Sequence, residues 1–314
     1  MADVTIGTRG SELALWQSEY VARCLRELFP DLNVRQKLIS TKGDKILDAP
    51  LAKIGGKGLF TKELEEAMLA GEIDLAVHSL KDVPTELPPG LGIVAVTKRE
   101  LPWDALVSRT GQKLSELPTG AVVGTSSLRR QAQLLHHRPD LHIVNLRGNV
   151  NTRLKKLADG EYDAIVLAAA GLKRLGQEDS VTEMLPPAVI LPAVGQGALA
   201  VEARLGDELN DKLTMLNNAP TVAAVTLERA FLAFVEGGCQ VPVGVYAETA
   251  KGQITAEAVI ATVDGKKLIR QKISGNVTDA KHLGERLAQN MLTDGGREIL
   301  TFLTTQAIMK SSFV

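Results

Sequence analysis

The sequence predicts an α/β protein: two similar α/β domains that face one another across a cleft, and a small C-terminal α+β domain. Three observations carry this. First, a short apolar strand runs into a turn rich in glycine, hydroxyls and arginine and then into a helix, and it does so twice. Val4 and Ile6 lead into Gly7-Thr8-Arg9-Gly10-Ser11, and Ala121-Val122-Val123 into Gly124-Thr125-Ser126-Ser127-Leu128-Arg129-Arg130. Second, Gly71-Glu72-Ile73-Asp74 is echoed by Gly160-Glu161-Tyr162-Asp163, each ahead of an apolar strand, as an internal duplication would produce. Third, past Pro220 the strand–helix alternation gives way to short strands in succession between two helices.

Taken in order, Leu13, Trp16, Val21, Cys24, Leu25 and Leu28 recur at helical spacing after Ser11, a plausible N-cap. A strand (Val34 to Ile39) and a long connection (Ser40 to Gly58) follow. A helix from about Phe60 to Ala70 then ends at Gly71, as a C-terminal cap would, before the strand Leu75-Ala76-Val77. The second segment repeats the plan with a helix (Leu128 to His136), a strand (His142 to Asn145), a helix (Val150 to Ala158) and a strand (Ala164 to Leu167). Such alternation predicts largely parallel sheets, with ligands beyond the carboxyl ends of the strands, where both Gly-Thr turns lie. The last segment reads as a helix (Thr221 to about Val235), strands at Val243 to Ala247, Ile254 to Thr262 and Lys267 to Ile273, and a helix from about Asp279 to Leu292.

At 314 residues the chain has room for two or three cores. Aromatics at 4% leave little for stacking on nucleic acid bases, and a net charge of -1 argues against a general polyanion binder, so no nucleic acid partner is expected. The longest apolar run, Ala164 to Leu172, is nine residues, too short to span a bilayer, and Met1-Ala2-Asp3-Val4 opens no signal peptide. With only Cys24 and Cys239, no disulfide framework is possible. The expectation is a cytoplasmic protein with reduced thiols, no membrane partner and no metal, since the histidines lack ligand spacing.

The positive charge is local. Arg9, Arg129, Arg130, Arg147, Arg153 and Arg174 sit at or near element ends, where each alone is an ordinary surface charge but together they suit a polycarboxylate. Asp82, in Val77-His78-Ser79-Leu80-Lys81-Asp82-Val83-Pro84, is either a loop cap or a carboxylate placed among cations to exchange protons and stabilise a developing positive charge. Cys239, between a glycine pair and Gln240, is either a small buried apolar side chain or a point of covalent attachment. Lys53 to Phe60 lacks the residues of a nucleotide-binding phosphate loop and better suits a lid carrying Lys53, Gly55, Gly56, Lys57 and Phe60. Gly195 to Ala200 fits a dinucleotide pattern only loosely, because Pro192 interrupts the preceding strand.

Together Gly7-Thr8-Arg9, Ile54 to Phe60, Val77 to Pro84, Gly124 to Arg130, Leu146 to Arg153, Ala170 to Gly176, Leu191 to Ala198 and Gly237 to Pro242 resemble the porphobilinogen deaminase (hydroxymethylbilane synthase) family over essentially the whole chain. The resemblance implies three domains: residues 1–98 with 198–217, residues 103–193, and residues 220–314. The first two resemble the lobes of solute-binding proteins. It implies a dipyrromethane cofactor joined to Cys239 through a thioether, on which four porphobilinogen molecules are polymerised with loss of ammonia. The linear tetrapyrrole, 1-hydroxymethylbilane, is then released by water, with heme and other porphyrins as the downstream products. In that reading Asp82 is catalytic, bonding pyrrole N–H groups and stabilising the cationic azafulvene. Lys81, Asp82, Ser127, Arg129, Arg130 and Gly171 hold the cofactor, while Arg9, Ser11, Arg99, Arg147, Arg153, Arg174 and Gln196 hold substrate. The family suggests a monomer.

One stretch departs from the family. Its Arg-Glu-Asp-Pro-Arg-Asp run reads Arg99-Glu100-Leu101-Pro102-Trp103-Asp104 here, which weakens the case for Arg99 as a ligand and raises the idea that Trp103 stiffens a hinge. The main alternative is a two-lobed binding module for a small polycarboxylate, which leaves Cys239 unexplained.

Overall fold

The computed structural model describes residues 2–45, 58–235 and 241–301. Among them no helix is long and apolar enough to cross a membrane. The first lobe is built from β1 (Ala2–Thr8), α1 (Glu12–Leu28), β2 (Leu32–Leu38), a short α2 (Lys42–Lys45), α3 (Lys62–Leu69), β3 (Leu75–Ser79) and β4 (Leu91–Val96). The second comprises β5 (Asp104–Ser108), β6 (Val122–Gly124), α4 (Leu128–His137), β7 (His142–Val144), α5 (Val150–Ala158), β8 (Ala164–Ala168), α6 (Ala169–Arg174) and β9 (Glu183–Met184). The chain then returns through β10 (Leu199–Arg204) and α7 (Leu209–Leu213). The C-terminal domain holds α8 (Ala219–Phe234), β11 (Val243–Ala250), β12 (Gln253–Ala261), β13 (Leu268–Asn276) and α9 (Ala280–Met291).

The two five-stranded sheets have the same plan, β2-β1-β3-β10-β4 in one lobe and β7-β6-β8-β5-β9 in the other. They are mixed rather than largely parallel. β1 pairs parallel with β2 and β3, and β6 with β7 and β8, but β10 and β5 lie antiparallel to both their neighbours. The physical reason is the connectivity. After β4 the chain crosses into the second lobe as β5, and after β9 it crosses back as β10, so each lobe takes in a strand running against its βαβ unit.

The duplication extends to single side chains. Asp74 accepts from the Thr5 amide at 2.7 Å, and its counterpart Asp163 accepts from the Val122 amide at 2.9 Å. Gly7 and Gly124 occupy the same place at the end of β1 and β6. A Cβ on Gly124 would lie 2.8 Å from the Tyr162 ring, and one on Gly7 would strike Ile73, the residue that echoes Tyr162. Ser11 caps α1 by accepting from the Ala14 amide, and Ser127 caps α4 by accepting from the Arg130 amide.

The lobe cores are aliphatic: Val21, Leu25, Leu75 and Val201 in the first, and Leu106, Val123, Leu134 and Val166 in the second. In the third domain Leu227 and Phe231 of α8 and Leu287 and Met291 of α9 cover the sheet β11-β12-β13. This domain touches both lobes. Arg229 donates to the Val83 and Pro84 carbonyls, and the Gly265 carbonyl lies 2.9 Å from His136 Nδ1.

The two crossovers touch as they pass between the lobes. The Glu100 amide donates to the Gly197 carbonyl at 3.1 Å, and a Cβ on Gly197, whose φ is 91°, would collide with the Glu100 carbonyl. Gly195, at φ 70°, lets the returning crossover press on Leu80, since a Cβ there would sit 2.7 Å from the Leu80 side chain. Gly195→Ala is therefore expected to cost about 1–3 kcal/mol through strain and overpacking, read as a lower thermal midpoint. A midpoint equal to that of the parent would show that Leu80 yields freely.

Candidate active site

The strand β3 ends in a 3-10 turn, Leu80–Asp82, at the carboxyl end of the first sheet. Leu80 is buried against Val96, Ala198, Ala200 and Val225, and its amide donates to the Ala198 carbonyl at 3.0 Å. That anchor fixes the turn and leaves Lys81 half-buried and Asp82 exposed. Val83, the next residue, is buried again, so the two charged side chains are presented by a turn held on either side.

Cations of the second lobe surround this turn. The Lys81 ammonium is pushed down to about 8 by burial, with Arg130 and Arg129 adding to the shift and Asp82 and Asp104 opposing it. Burial likewise pushes Arg153 down to about 10, helped by Arg130 and Arg147 and opposed by Asp82. Lys81, Asp82, Arg130, Arg147 and Arg153 thus form one electrostatic group drawn from both lobes. Arg153 is held by Nε donating to the Gly148 carbonyl at 2.8 Å, where Gly148 sits at φ 117°. If Lys81 acts as a cation toward carboxylates, kcat/KM falls as pH rises through about 8, because the ammonium is present below that value and lost above it. Lys81→Arg is expected to move this limb to higher pH, and an unmoved limb would assign it to another group.

Arg129 and Arg130 open α4 and are both buried, at 5% and 6% exposure. Asp104, fully buried at the start of β5, accepts from Arg129 Nη1 at 2.7 Å and from Arg130 Nε and Nη2 at 3.0 and 2.6 Å. Arg129 Nη1 also donates to the Leu191 carbonyl at 2.6 Å, and Arg130 Nη1 to the Val166 carbonyl at 2.8 Å. Burial alone would raise the Asp104 carboxyl; the two guanidiniums outweigh it and hold it far below the usual carboxylate range. Ser127, half-buried, is the cap between this pair and the Gly124 turn.

The remaining expected ligands have the following surroundings. Arg9 stacks over the Phe60 ring at 4.3 Å, within the first lobe, and the Ser11 hydroxyl accepts the α1 cap bond. Gly171 is buried in α6 between Leu13 of the first lobe and Val150 of the second. Arg174 donates to the Gly197 carbonyl at 2.7 Å and lies 5.7 Å from the Trp16 ring centroid, and burial pushes its guanidinium down to about 10.

Two further expected ligands take partners in the interdomain frame. Arg99, expected among the substrate ligands, is a strut to the third domain. Its Nη1 and Nη2 donate to the fully buried Glu228 carboxylate at 2.7 and 2.8 Å, and its Nε to the Gln196 carbonyl at 2.9 Å. Gln196, also expected to bind substrate, is fully buried in the returning crossover, and its Nε2 donates to the Pro102 carbonyl at 2.7 Å and to Asp104 at 3.1 Å. Both contribute to the interdomain frame, Arg99 through its whole guanidinium and Gln196 through Nε2. Beside them Trp103 packs on Tyr246 of β11, with ring centroids 4.8 Å apart, so the side chain that departs from the family pattern joins the outgoing crossover to the third domain.

Cys239, Lys53, Gly55, Gly56 and Lys57 lie outside the described residues. The sequence reading passed over Asp104 and Glu228 as site-shaping groups. Each is an acid in an apolar setting, Asp104 ahead of Ala105-Leu106-Val107 and Glu228 between Leu227 and Phe231, a pattern that flags a paired buried charge. His78 is likewise a paired buried residue, with Nε2 2.8 Å from Glu202 Oε2.

The fold and this geometry define a two-lobed protein with a carboxylate set among cations, joined to a third domain through the buried Arg99–Glu228 ion pair. Residues 4–212 match the family pattern described as "Porphobilinogen deaminase, dipyromethane cofactor binding domain", and residues 222–293 match "Porphobilinogen deaminase, C-terminal domain". The chain is 54% identical to a porphobilinogen deaminase of Geobacter sulfurreducens over 94% of its own length and 93% of that protein's. It is 55% identical to one of Pelotomaculum thermopropionicum, covering 95% and 96% respectively. Among solved structures, the BenM effector binding domain with benzoate is 15% identical, with a TM-score of 0.40, over 66% of this chain and 85% of that one. The chain belongs to the porphobilinogen deaminase family.

Proposed function

We propose that the chain is a transferase of tetrapyrrole biosynthesis, condensing four porphobilinogen molecules head to tail with release of ammonia and freeing 1-hydroxymethylbilane by hydrolysis. The observation that carries this reading beyond the family match is one exposed carboxylate, Asp82, within electrostatic reach of Arg153 and of the neighbouring Lys81, which in turn feel Arg130. Porphobilinogen bears acetate and propionate groups and a pyrrole N–H, which call for cations and for one acceptor in the same place.

The donor set fits a dipyrromethane, a group of the same chemistry. Lys81, Arg130, Arg147 and Arg153 would hold its carboxylates, Asp82 would accept from its N–H groups, and Cys239 would carry it covalently. When bound, the group supplies the pyrrole terminus on which the chain is built. Asp82 orients the incoming aminomethyl pyrrole through its N–H, stabilises the positive charge left as ammonia departs, and receives the ring proton that each condensation releases. The neighbouring cations bind carboxylates of the pyrrole chain. Arg9 and Arg174 would serve further carboxylates of the growing chain. We place the enzyme in the cytoplasm, as a monomer without nucleic acid.

Incubation of the purified chain with porphobilinogen tests the reading. It predicts four ammonia molecules per tetrapyrrole released. Porphobilinogen bound but recovered intact would favour a two-lobed polycarboxylate-binding module instead.

A further inference from the structure

We propose that Asp104 is a positioning residue for the reaction: its buried carboxylate fixes the Arg129 and Arg130 guanidiniums so that the positive charge it leaves over is directed to a carboxylate of the bound pyrrole chain. The inference rests on the cleft reading given above. Asp104 is fully buried, and both arginines are nearly so. Two guanidiniums against one carboxylate leave one positive charge over, with Lys81 adding to the local excess. Burying an uncompensated cation is costly, so an anionic ligand that meets it restores the balance.

The frame around Asp104 is suited to holding position. Arg129 and Arg130 approach from α4, and each is held by a second acceptor, Leu191 on the returning crossover and Val166 on β8. Gln196 Nε2 joins Asp104 to the Pro102 carbonyl, so both crossovers meet at this one carboxylate. Gln133 completes the arrangement by accepting from the Leu191 amide at 2.8 Å and donating to the Leu191 carbonyl at 3.1 Å. The guanidiniums are therefore set against both crossovers, rather than against one lobe alone.

The test compares Asp104→Asn, Asp104→Glu and Arg130→Leu with the parent, by circular dichroism, intact mass after exposure to porphobilinogen, and kcat/KM against pH. In folded Asp104→Asn, covalent loading slows and kcat/KM drops about a hundredfold, the penalty typical of a misplaced binding group. The alkaline limb of kcat/KM also moves to lower pH, because Lys81 keeps Arg129 and Arg130 as neighbours and loses Asp104, with Asp82 unchanged. A merely structural carboxylate would not move that limb. Folded Asp104→Asn with the parent's loading, kcat/KM and limb overturns the proposal. If Asp104→Asn does not fold, Asp104→Glu decides: a drop of about a hundredfold at an unchanged melting midpoint supports positioning, and parental kinetics overturn it. Arg130→Leu separates the two readings. If it turns over normally the cleft reading fails, and the proposal with it. If it is impaired while the folded Asp104 variants are not, only the positioning role fails.

Discussion

Asp82→Asn is expected to lower kcat by about 10²–10⁴-fold, the range a positioned acid–base group supplies, while the protein keeps its fold. The substitution keeps the size and shape of the side chain and removes the charge that stabilises a departing-ammonia cation and the site that accepts a ring proton. Because Asp82 is exposed at the end of its turn, with Leu80 and Val83 holding the backbone, stability should change by only about 0.5 kcal/mol or less. Turnover close to the parent's would remove Asp82 from the mechanism. A variant that had lost its fold would instead show that the carboxylate supports the turn.

Glu228→Gln is expected to lower stability by about 3–5 kcal/mol, the cost of leaving a buried partner uncompensated. Glu228 accepts from Arg99 Nη1 and Nη2 and from the Gly195 and Ala247 amides, both at short range, 2.7 and 2.9 Å. An amide in its place turns one acceptor oxygen into a donor facing N–H groups and leaves the Arg99 cation without its counter-charge. The outgoing crossover, the returning crossover and the third domain all lose a tie at once. The thermal midpoint should fall by on the order of 10 °C. An unchanged midpoint would mean that the pair contributes little beyond the packing of α8 against the lobes.

Much of the fold was legible because its signals are local. The echo of Gly71–Asp74 by Gly160–Asp163 marked a duplication that the structure carries down to the two aspartates capping Thr5 and Val122. The mixed character of the sheets was not legible, because β10 pairs with β3 from more than a hundred residues away and nothing in its own alternation marks direction. The same limit explains Arg99. A cation at an element end looks alike whether it faces a cleft or a glutamate far along the chain, and Glu228 became its partner only through the fold. Asp82 was legible as a residue just past an apolar strand, with a loop cap and a carboxylate among cations both open, and Lys81 entered only through the family resemblance. The crowding of Lys81 by Arg129, Arg130 and Asp104 depends on how the second lobe sits.

The central claim is that this chain builds a pyrrole polymer on a primer covalently held by Cys239. The most direct test is the intact mass of the purified, denatured protein beside a Cys239→Ser variant, before and after incubation with porphobilinogen. The account predicts an excess equal to two porphobilinogen units less two ammonias on the parent chain, present at isolation or acquired on incubation, and absent from the variant. A parent chain that stays at its bare polypeptide mass after incubation, or a variant that carries the same excess, would contradict it.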